Sequence, residues 1–511
     1  MIASPLPAQD SPKEVGKKKA EERPTSKEKP KTGPKRASDK NAPKDKPAQA
    51  AKQAPAKPDP NRVAGKATLK MVEAIDHWKE LFNGNDLAGW QGDTEGYIVE
   101  DGVLICQKGA KILETDREYS DFVFHFQFKL TESGNNGLGI RAQSGTGPAY
   151  HGMELQILDH KGDRYSAETT TGKRVSTLKP WQVHGSIYGV VPAKTGYLKP
   201  VGEWNEQVVI CIEDHVKVIL NGAVIVDVFL DKHTPVDGRD HPGLHNRQGH
   251  IQFAGHSDHV EFKDIKVAEY VPSPPTPGKN PPDNTPPKGF TALFNGKDLT
   301  GWKGLADKNA PVRRALRGEA LTEAQATADE SMTEHWSVAN GILTYDGEGQ
   351  SLCTGKDYGD FELYIDWKIP PGADSGIYLR GTPQIQIWDP WDARTKDGST
   401  PETADDWVTS YRNGRNLGSG GLWNNKRASN RPLVKADNIP GEWNTFLIRM
   451  VGEQVSIWLN GKQVVDRTVL ENYWDRLANS VIPIPRKDQI ELQHHGSELF
   501  FKNLYIREIP Y

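Results

Sequence analysis

Two short segments of this sequence combine amides, carboxylates and aromatic rings in a way that suits contact with sugars. Met153–Asp159 and Gln384–Asp389 alternate polar and apolar residues with a period of two, which is typical of a strand with one apolar face. Flat rings stack on the apolar faces of sugars, while amides and carboxylates bond the hydroxyl groups. We therefore expect one sugar-binding face in each segment, formed by Glu154 and Gln156 in the first and by Gln384, Gln386 and Trp388 in the second.

Charged residues flank both segments. The strand before each segment ends in an arginine, Arg141 or Arg380, and Tyr378 shares the parity of Arg380. Each segment itself ends in an aspartate, Asp159 or Asp389, whose parity is opposite to that of the expected sugar face. Before any family is considered, the arginines are more simply salt-bridge partners and the aspartates more simply bond loop amides.

The two segments belong to a duplicated unit. The pattern Leu-Phe-Asn-Gly-x-Asp-Leu-x-Gly-Trp occupies Leu81–Trp90 and returns at Leu293–Trp302, and Gly-Glu-Trp-Asn also occurs once in each copy. The offset between matching residues grows from 212 to 239, so the second copy gains 27 residues near its start. These lie around Pro311–Thr333 and favour a helix. The first copy gains 9 residues in the loop Ala142–His151.

The remaining pattern of each copy indicates an antiparallel sandwich. Every second residue of Phe122–Lys129 is phenylalanine, Phe361–Lys368 alternates in the same way, and Asn-Gly pairs follow later strands as hairpin turns. Many short strands with Gly-rich turns are typical of two packed sheets. We predict an all-β chain of two tandem sandwiches with a short helical insertion in the second. We also expect the tryptophan of each Gly-Glu-Trp-Asn to lie in the core.

Composition divides the 511 residues further. Residues 1–70 are rich in Lys, Pro and Ala and carry a net charge of +10, which leaves −14 on the rest of the chain. We predict a disordered basic tail over 1–70, a first sandwich over 79–270, a Pro-rich linker over 271–288 and a second sandwich over 289–511. The acidic folded part argues against nucleic acid as its partner.

Several other classes of site and segment are not indicated. The three cysteines cannot all pair and lie far apart in sequence, which argues against a disulfide framework and against a zinc motif. We predict no cofactor, and a structural metal such as calcium would need oxygen ligands. No apolar run is long enough for a membrane span. Met1–Asp10 has the small-residue character of the end of a signal peptide, so we expect export to the periplasm or the exterior.

Several of these motifs together resemble the 3-keto-disaccharide hydrolase family. They are the Leu-Phe-Asn-Gly pattern, the Asp-Phe-x-Leu-x-x-x-Trp-Lys strand, Ser375–Arg380, Gly-Glu-Trp-Asn and Ile490–Gly496. The resemblance covers about Lys79–Tyr270 and Gly289–Ile509. It implies the concanavalin A-like lectin/glucanase sandwich, a glycoside or oligosaccharide as substrate, and hydrolysis of glycosides whose sugar is oxidised to a ketone at carbon 3.

The implied chemistry needs particular groups. A ketone at carbon 3 acidifies the proton at carbon 2, so a base can remove that proton, the substituent at carbon 1 can leave, and water can add back. A proton donor and a dipole or cation near the enolate oxygen would assist. On this resemblance we assign to the first copy Glu154 or His151 as base, Asp159 as an orienting or acid carboxylate, Arg141 as ketone ligand, and Tyr188 and His256 nearby. The corresponding set in the second copy is Arg380, Gln386, Asp389, Trp423 and His495, with Tyr378 and Gln384 as substrate contacts.

The two copies differ at one position of the expected sugar face. Gln384 stands where the first copy has Glu154, so a base at that position is absent from the second copy. Two other functions stay open at this point: a carbohydrate-binding protein without catalysis, and a structural module attached to a wall or surface through the basic tail. Structural roles for the histidines, and packing roles for Trp388 and Trp423, also stay open.

Overall fold

The first repeat folds into short strands separated by turns, as the alternation predicts. The structure is a computed structural model that describes residues 58–272, 283–381, 384–392, 408–409, 412–426, 430–473 and 483–510. The strands of the first repeat are β1 (Lys79–Glu80), β2 (Trp90–Gly92), β3 (Tyr97–Glu100), β4 (Val103–Cys106), β5 (Leu113–Thr115), β6 (Phe122–Leu130), β7 (Asn135–Ala142), β8 (Met153–Leu158), β9 (Ser166–Glu168), β10 (Arg174–Ser176), β11 (Trp204–Ile212), β12 (His215–Leu220), β13 (Ala223–Phe229), β14 (His250–Phe253) and β15 (Val260–Glu269).

The second repeat follows the same plan. Its strands are β16 (Thr291–Ala292), β17 (Trp302–Gly304), β18 (Trp336–Ala339), β19 (Ile342–Tyr345), β20 (Leu352–Thr354), β21 (Phe361–Lys368), β22 (Asp374–Tyr378), β23 (Gln384–Trp388), β24 (Trp391–Asp392), β25 (Val408–Thr409), β26 (Asn444–Val451), β27 (Gln454–Leu459), β28 (Lys462–Val469), β29 (Glu491–Leu492) and β30 (Leu499–Glu508). The α-helices of the described residues are α1 (Pro60–Glu73), α2 (Pro148–His151), α3 (Ala310–Ala315) and α4 (Gly318–His335).

Each repeat is a sandwich of a large and a small antiparallel sheet, with the same strand order in both. The large sheets run β3-β4-β15-β6-β11-β12-β13 and β18-β19-β30-β21-β26-β27-β28. The small sheets run β2-β5-β14-β7-β8 and β17-β20-β29-β22-β23. The alternating phenylalanines of β6 are fully buried and share one apolar cluster with Leu138 and Leu155 of the small sheet. The predicted pair of tandem β-sandwiches is thus confirmed.

The insertions lie where the offsets predict them. Helices α3 and α4 form the insertion of the second repeat, between β17 and β18, which confirms the predicted helical segment. Helix α2 lies in the inserted loop of the first repeat, between β7 and β8. Among the described residues, no helix is long and apolar enough to cross a membrane.

The predicted disordered tail over 1–70 is wrong at its C-terminal end, where helix α1 lies. The helix begins at Pro60, directly after a capping aspartate. A β-carbon on Gly65 would collide with the carbonyl of Gly222, so the helix lies close against the hairpin turn between β12 and β13. The buried face of the helix consists of Gly65, Thr68 and Val72. Because glycine and threonine are not apolar, this face does not appear in the sequence as a helical repeat of apolar residues. Most of the predicted tail, and residues 273–282 of the predicted linker, lie outside the described residues.

The two repeats lie within one compact unit that begins at Pro58. A buried network of ion pairs, which we call the ionic joint, connects them. Arg449 on β26 is 1% exposed and contacts Asp121 of the first repeat, as well as Glu362 of its own repeat at 2.6 Å. Asp121 also binds Arg141 of the first repeat at 2.7 Å. Val451 joins an apolar cluster formed largely by the outer face of the first large sheet.

The tryptophans of the two Gly-Glu-Trp-Asn motifs do not lie in the core, so that expectation was wrong. Both are half-buried, Trp204 as the first residue of β11 and Trp443 directly before β26. Lysine ammonium groups lie 4.3–5.3 Å from their ring centroids, in the same arrangement in both repeats: Lys129 and Lys263 beside Trp204, and Lys368 and Lys502 beside Trp443. The rings thus lie on the surface of the sandwich, beneath the ammonium groups of lysine side chains.

Candidate functional site

A cleft of about 680 Å³ opens on the small sheet of the second repeat. Its floor is built from side chains of β22, β23 and β29 that face away from the sandwich core. Ligand sites in proteins commonly occupy about 300–1,000 Å³, so the cleft is large enough for a small ligand. The polar residues of the floor include Tyr378, Gln384, Gln386, Glu491 and Gln493.

Hydrogen bonds fix the amide groups on this floor. Gln384 Nε2 donates to Gln493 Oε1 at 2.7 Å, and Tyr378 Oη donates to Gln384 Oε1 at 3.2 Å. A β-carbon on Gly376 would collide with the Gln384 amide, so glycine on the neighbouring strand lets this side chain lie flat. Gln386 Nε2 donates to a carboxylate oxygen of β22 at 2.6 Å. The amides are therefore held in place before a ligand binds.

Two tryptophans form one wall of the cleft. Trp388 and Trp423 meet edge to face, with ring centroids 5.5 Å apart and an interplanar angle of 74°. Trp388 Nε1 donates to Gly418 O at 2.8 Å, whereas Trp423 is 45% exposed. The guanidinium of Arg415 lies 6.0 Å from the Trp388 ring centroid. Trp423 therefore presents an open aromatic face of the kind that stacks on a sugar ring.

Glu491 is an acidic residue of the floor that was not among the residues predicted from sequence. Burial raises the pKa of its carboxyl to about 7, against the opposing effects of the Arg313 guanidinium and a hydrogen bond with Ser351. A carboxyl with this pKa takes up and releases a proton at neutral pH, as a general base must. The signal was present in Ile490–Gly496, where Glu491 and Gln493 share one parity and hence one face of the strand.

A serine connects this carboxyl with a histidine. Ser351 Oγ bonds Glu491 and lies 2.8 Å from His494 Nδ1. Burial lowers the pKa of His494, and the neighbouring His495 and Lys308 lower it further, so the neutral imidazole is favoured. His495 is exposed and also lines the cleft. One side of the cleft therefore carries a carboxyl and two imidazoles, and the buried hydroxyl of Ser351 connects the carboxyl with one of the imidazoles.

The first repeat has a smaller pocket, of about 280 Å³, on its own small sheet. Its central group is the buried Glu154, whose Oε1 lies 3.0 Å from His256 Nε2 and accepts from Gln156 Nε2 at 3.1 Å. The bond to Glu154 raises the pKa of His256, against the effect of burial. Tyr188 lines the pocket and packs edge to face against Trp181, with ring centroids 5.1 Å apart.

The two pockets are built on the same backbone positions. The amide of Tyr188 donates to Glu154 O at 2.9 Å, and the amide of Trp423 donates to Gln384 O at 3.1 Å, so these two aromatic residues are equivalent. The structure brings ten of the predicted residues to the two pockets: Glu154, Gln156, Tyr188 and His256 in the first, and Tyr378, Gln384, Gln386, Trp388, Trp423 and His495 in the second.

The two arginines do not reach the pockets, and we withdraw them as ketone ligands. Arg141 binds Asp121 at 2.7 Å, Arg380 binds Asp360 at 2.5 Å, and both guanidinium groups also donate to backbone carbonyls. Both residues have left-handed backbones, with φ of 49° and 48°. The register of β7 against β14 also shifts beside Arg141, so an irregularity in the strand breaks the alternation on which the prediction depended.

The two aspartates and His151 also lie outside the lining of the pockets. Asp159 accepts from the amides of Ser133 at 2.9 Å and Lys161 at 3.3 Å. Asp389 accepts from the amides of Gly372 and Trp391, both at 2.8 Å. These carboxylates order the loops at the strand ends, which was the simpler alternative. His151 is exposed at the end of α2.

Two further features bear on cofactors and oxidation. Among the residues that the structure describes, no group of three or more His, Cys, Asp or Glu side chains could hold a metal ion. The three cysteines are buried thiols, each with a pKa raised chiefly by burial.

One family model matches both sandwiches, and known proteins match parts of the chain. The model of the 3-keto-alpha-glucoside-1,2-lyase-like domain matches residues 77–268 and 289–507. A 3-keto-disaccharide hydrolase of Bacteroides thetaiotaomicron is 20% identical over 246 residues, which are 43% of this chain and 78% of that protein. Two crystal structures of candidate glycosyl hydrolases from Parabacteroides distasonis are 26% and 27% identical; they cover 39% and 38% of this chain and 96% and 100% of their own chains, each with a TM-score of 0.33. The chain belongs to the 3-keto-alpha-glucoside-1,2-lyase-like domain family and carries two copies of that domain.

Proposed function

We propose that this protein is an enzyme that cleaves glycosides oxidised to a ketone at carbon 3, and that the reaction takes place in the cleft of the second repeat. The observation that carries the proposal is the carboxyl group of Glu491, which lines a cleft of about 680 Å³ and has a pKa raised to about 7 by burial. The family match and the named relative support the substrate class. The second copy has Gln384 at the position of Glu154, and this assignment places its base on another strand, β29.

The proposed reaction is an elimination followed by addition of water. Glu491 removes the proton from carbon 2, and the electron pair of that C–H bond moves into the ketone as an enolate. The carbonyl then re-forms, and the pair makes the double bond between carbons 1 and 2 as the C1–O bond breaks. His495 donates a proton to the departing oxygen. Water then adds its hydroxyl to carbon 1 and gives its proton to His495. The neutral carboxyl of Glu491, whose proton has exchanged with solvent, protonates carbon 2, so the net change is hydrolysis and both side chains return to their starting states.

The other residues of the cleft hold the sugar for this step. The amides of Gln384, Gln386 and Gln493 bond ring hydroxyls, and Trp423 stacks on an apolar face. In this proposal the Gln493 amide, whose oxygen accepts from Gln384, donates an N–H group to the ketone oxygen and stabilises the enolate that develops there. Because hydrogen bonds already fix these amides, little ordering is required on binding.

The test uses the full chain with a 3-keto-disaccharide and with its unoxidised parent. We expect cleavage of the keto sugar alone, and in heavy water one solvent deuteron at carbon 2 of the product. Glu491→Gln should lower kcat about 10²–10⁴-fold, the usual effect of removing a general base. Glu498→Gln removes an exposed carboxylate seven residues away and is the matched control, with unchanged kcat.

Two outcomes would contradict the proposal. Saturable binding of both sugars without cleavage of either would favour a carbohydrate-binding protein without catalysis. Loss of activity in Glu154→Gln, with full activity in Glu491→Gln, would move the reaction to the first repeat.

A further inference from the structure

The inserted loop of the first repeat covers part of the sheet that is open in the second. Ser144 Oγ donates to Glu114 Oε1 at 2.6 Å, and the amide of Gly145 donates to the other oxygen of that carboxylate at 3.2 Å. Gln252 Nε2 donates to Gln143 O at 3.3 Å and to Glu114 at 2.8 Å. The loop is therefore tied to β5 and β14 by a closed set of hydrogen bonds.

The same loop also covers β7. A β-carbon built on Gly139 would lie 2.6 Å from the Cβ of Pro148, so the absence of a side chain on β7 is what admits the loop. The strand pairings make Gly139 equivalent to Tyr378, and Gln252 equivalent to Glu491. In the second repeat both of these equivalents line the open cleft.

What remains uncovered in the first repeat is a short, polar pocket. Ala149 and Tyr150, which follow Pro148 in the inserted segment, form part of its wall. Its floor is the Glu154 carboxylate with its His256 and Gln156 partners, and its rim is apolar and aromatic, with Tyr188 as one member. The volume of about 280 Å³ is less than half of the 680 Å³ of the second cleft.

We propose that the first repeat holds a separate binding site for one neutral sugar ring, closed at one end by the inserted loop. A carboxylate held by an imidazole accepts hydrogen bonds from adjacent hydroxyl groups, and the aromatic rim covers an apolar face of the ring. A second ring would meet the segment Gln143–Tyr150. The site suits the monosaccharide that cleavage in the second repeat releases, and this choice of ligand rests on the proposed function.

The test is calorimetric titration of the full chain, in a Glu491→Gln background so that no ligand is consumed. The probes are 3-keto-glucose and 3-keto-maltose, together with glucose and maltose. Tyr188→Ala and Trp423→Ala are a matched pair because they truncate equivalent aromatic residues in the two pockets. We expect Tyr188→Ala to weaken binding of the single-ring probes at least tenfold and to leave the two-ring probes within twofold. Trp423→Ala should weaken the two-ring probes at least tenfold.

A second variant tests the closed end directly. Ser144→Ala combined with Pro148→Gly removes one hydrogen bond and the contact over Gly139. This double variant should let a two-ring probe enter the first pocket. The titration uses a Trp423→Ala background, in which the second cleft binds two-ring probes weakly. Equal weakening of both probe classes by Tyr188→Ala, or no binding of any single-ring probe, would overturn the inference. Binding needs no turnover, so an inactive protein with the expected binding pattern would refute the proposed reaction and leave this site standing.

Discussion

Replacing Glu491 with glutamine should stabilise the protein at alkaline pH while it removes activity. Burial raises the pKa of this carboxyl from 4.5 to about 7 in the folded chain. Between these values the folded state binds the proton and the unfolded state does not, so folding stability falls as pH rises through this window and stays low above it. The difference of about 2.5 units, at about 1.36 kcal/mol for each unit, amounts to about 3 kcal/mol.

Glutamine has nearly the same shape, keeps hydrogen-bonding capacity towards Ser351 and carries no charge at any pH. At pH 4.5 the carboxyl of the wild-type protein is largely neutral, so the two proteins should have nearly equal free energies of unfolding. At pH 8.5 the variant should be more stable by up to about 3 kcal/mol, since only the wild-type protein bears a buried charge there.

Urea unfolding at the two pH values measures this difference, with Glu498→Gln as the control for loss of a carboxylate. At each pH the free energy of unfolding of the wild type is subtracted from that of the variant, and the two differences are compared. Effects of the substitution on the unfolded state largely cancel in this comparison. A difference that stays constant from pH 4.5 to 8.5 would refute the account of Glu491 as a carboxyl held neutral by burial. Enzymes often place such destabilising groups at sites of reaction.

Three further changes test other parts of the structure. Arg313→Gln removes a cation that favours the ionised base, so the acid limb of the kcat/KM profile should move up by about one pH unit. The exposed Arg317→Gln is the control, and an unmoved limb in Arg313→Gln would contradict this. Gly137→Ala should push the first pocket's carboxylate away from His256 and lower the pKa of that histidine, which proton NMR titration would record. Arg449→Met leaves buried carboxylates uncompensated and should cost about 3–5 kcal/mol in chemical unfolding; a loss below about 1 kcal/mol would indicate a joint that relaxes around the change.

The duplicated sandwich could be predicted from sequence because its signals are local. The alternation in β6 and β21 and the Asn-Gly turns each span only a few residues. These patterns predict the large sheet of each repeat. The polar faces of β8 and β23 were predictable for the same reason, since the parity within one regular strand survives folding.

The remaining parts of the site depend on contacts between distant segments. The predicted position of Arg141 was wrong because an irregular strand end reverses the direction of its side chain. No residue in the sequence indicates that irregularity. Glu491 was missed because the carboxylate of the second cleft is on β29 instead of β23, and adjacency in a sheet is a property of topology. Its raised pKa needs the burial that only the folded chain supplies.

The carboxylate of Asp121 serves both sandwiches at once, and this limits how the protein can be taken apart. It binds Arg141 within the first repeat and Arg449 from the second. A gene fragment that encodes the second repeat alone would leave Arg449 without this partner, and one that encodes the first alone would expose Val123 and its apolar neighbours. The two domains are therefore no longer exchangeable modules, and recombination that transplants one of them must supply the other side of the joint.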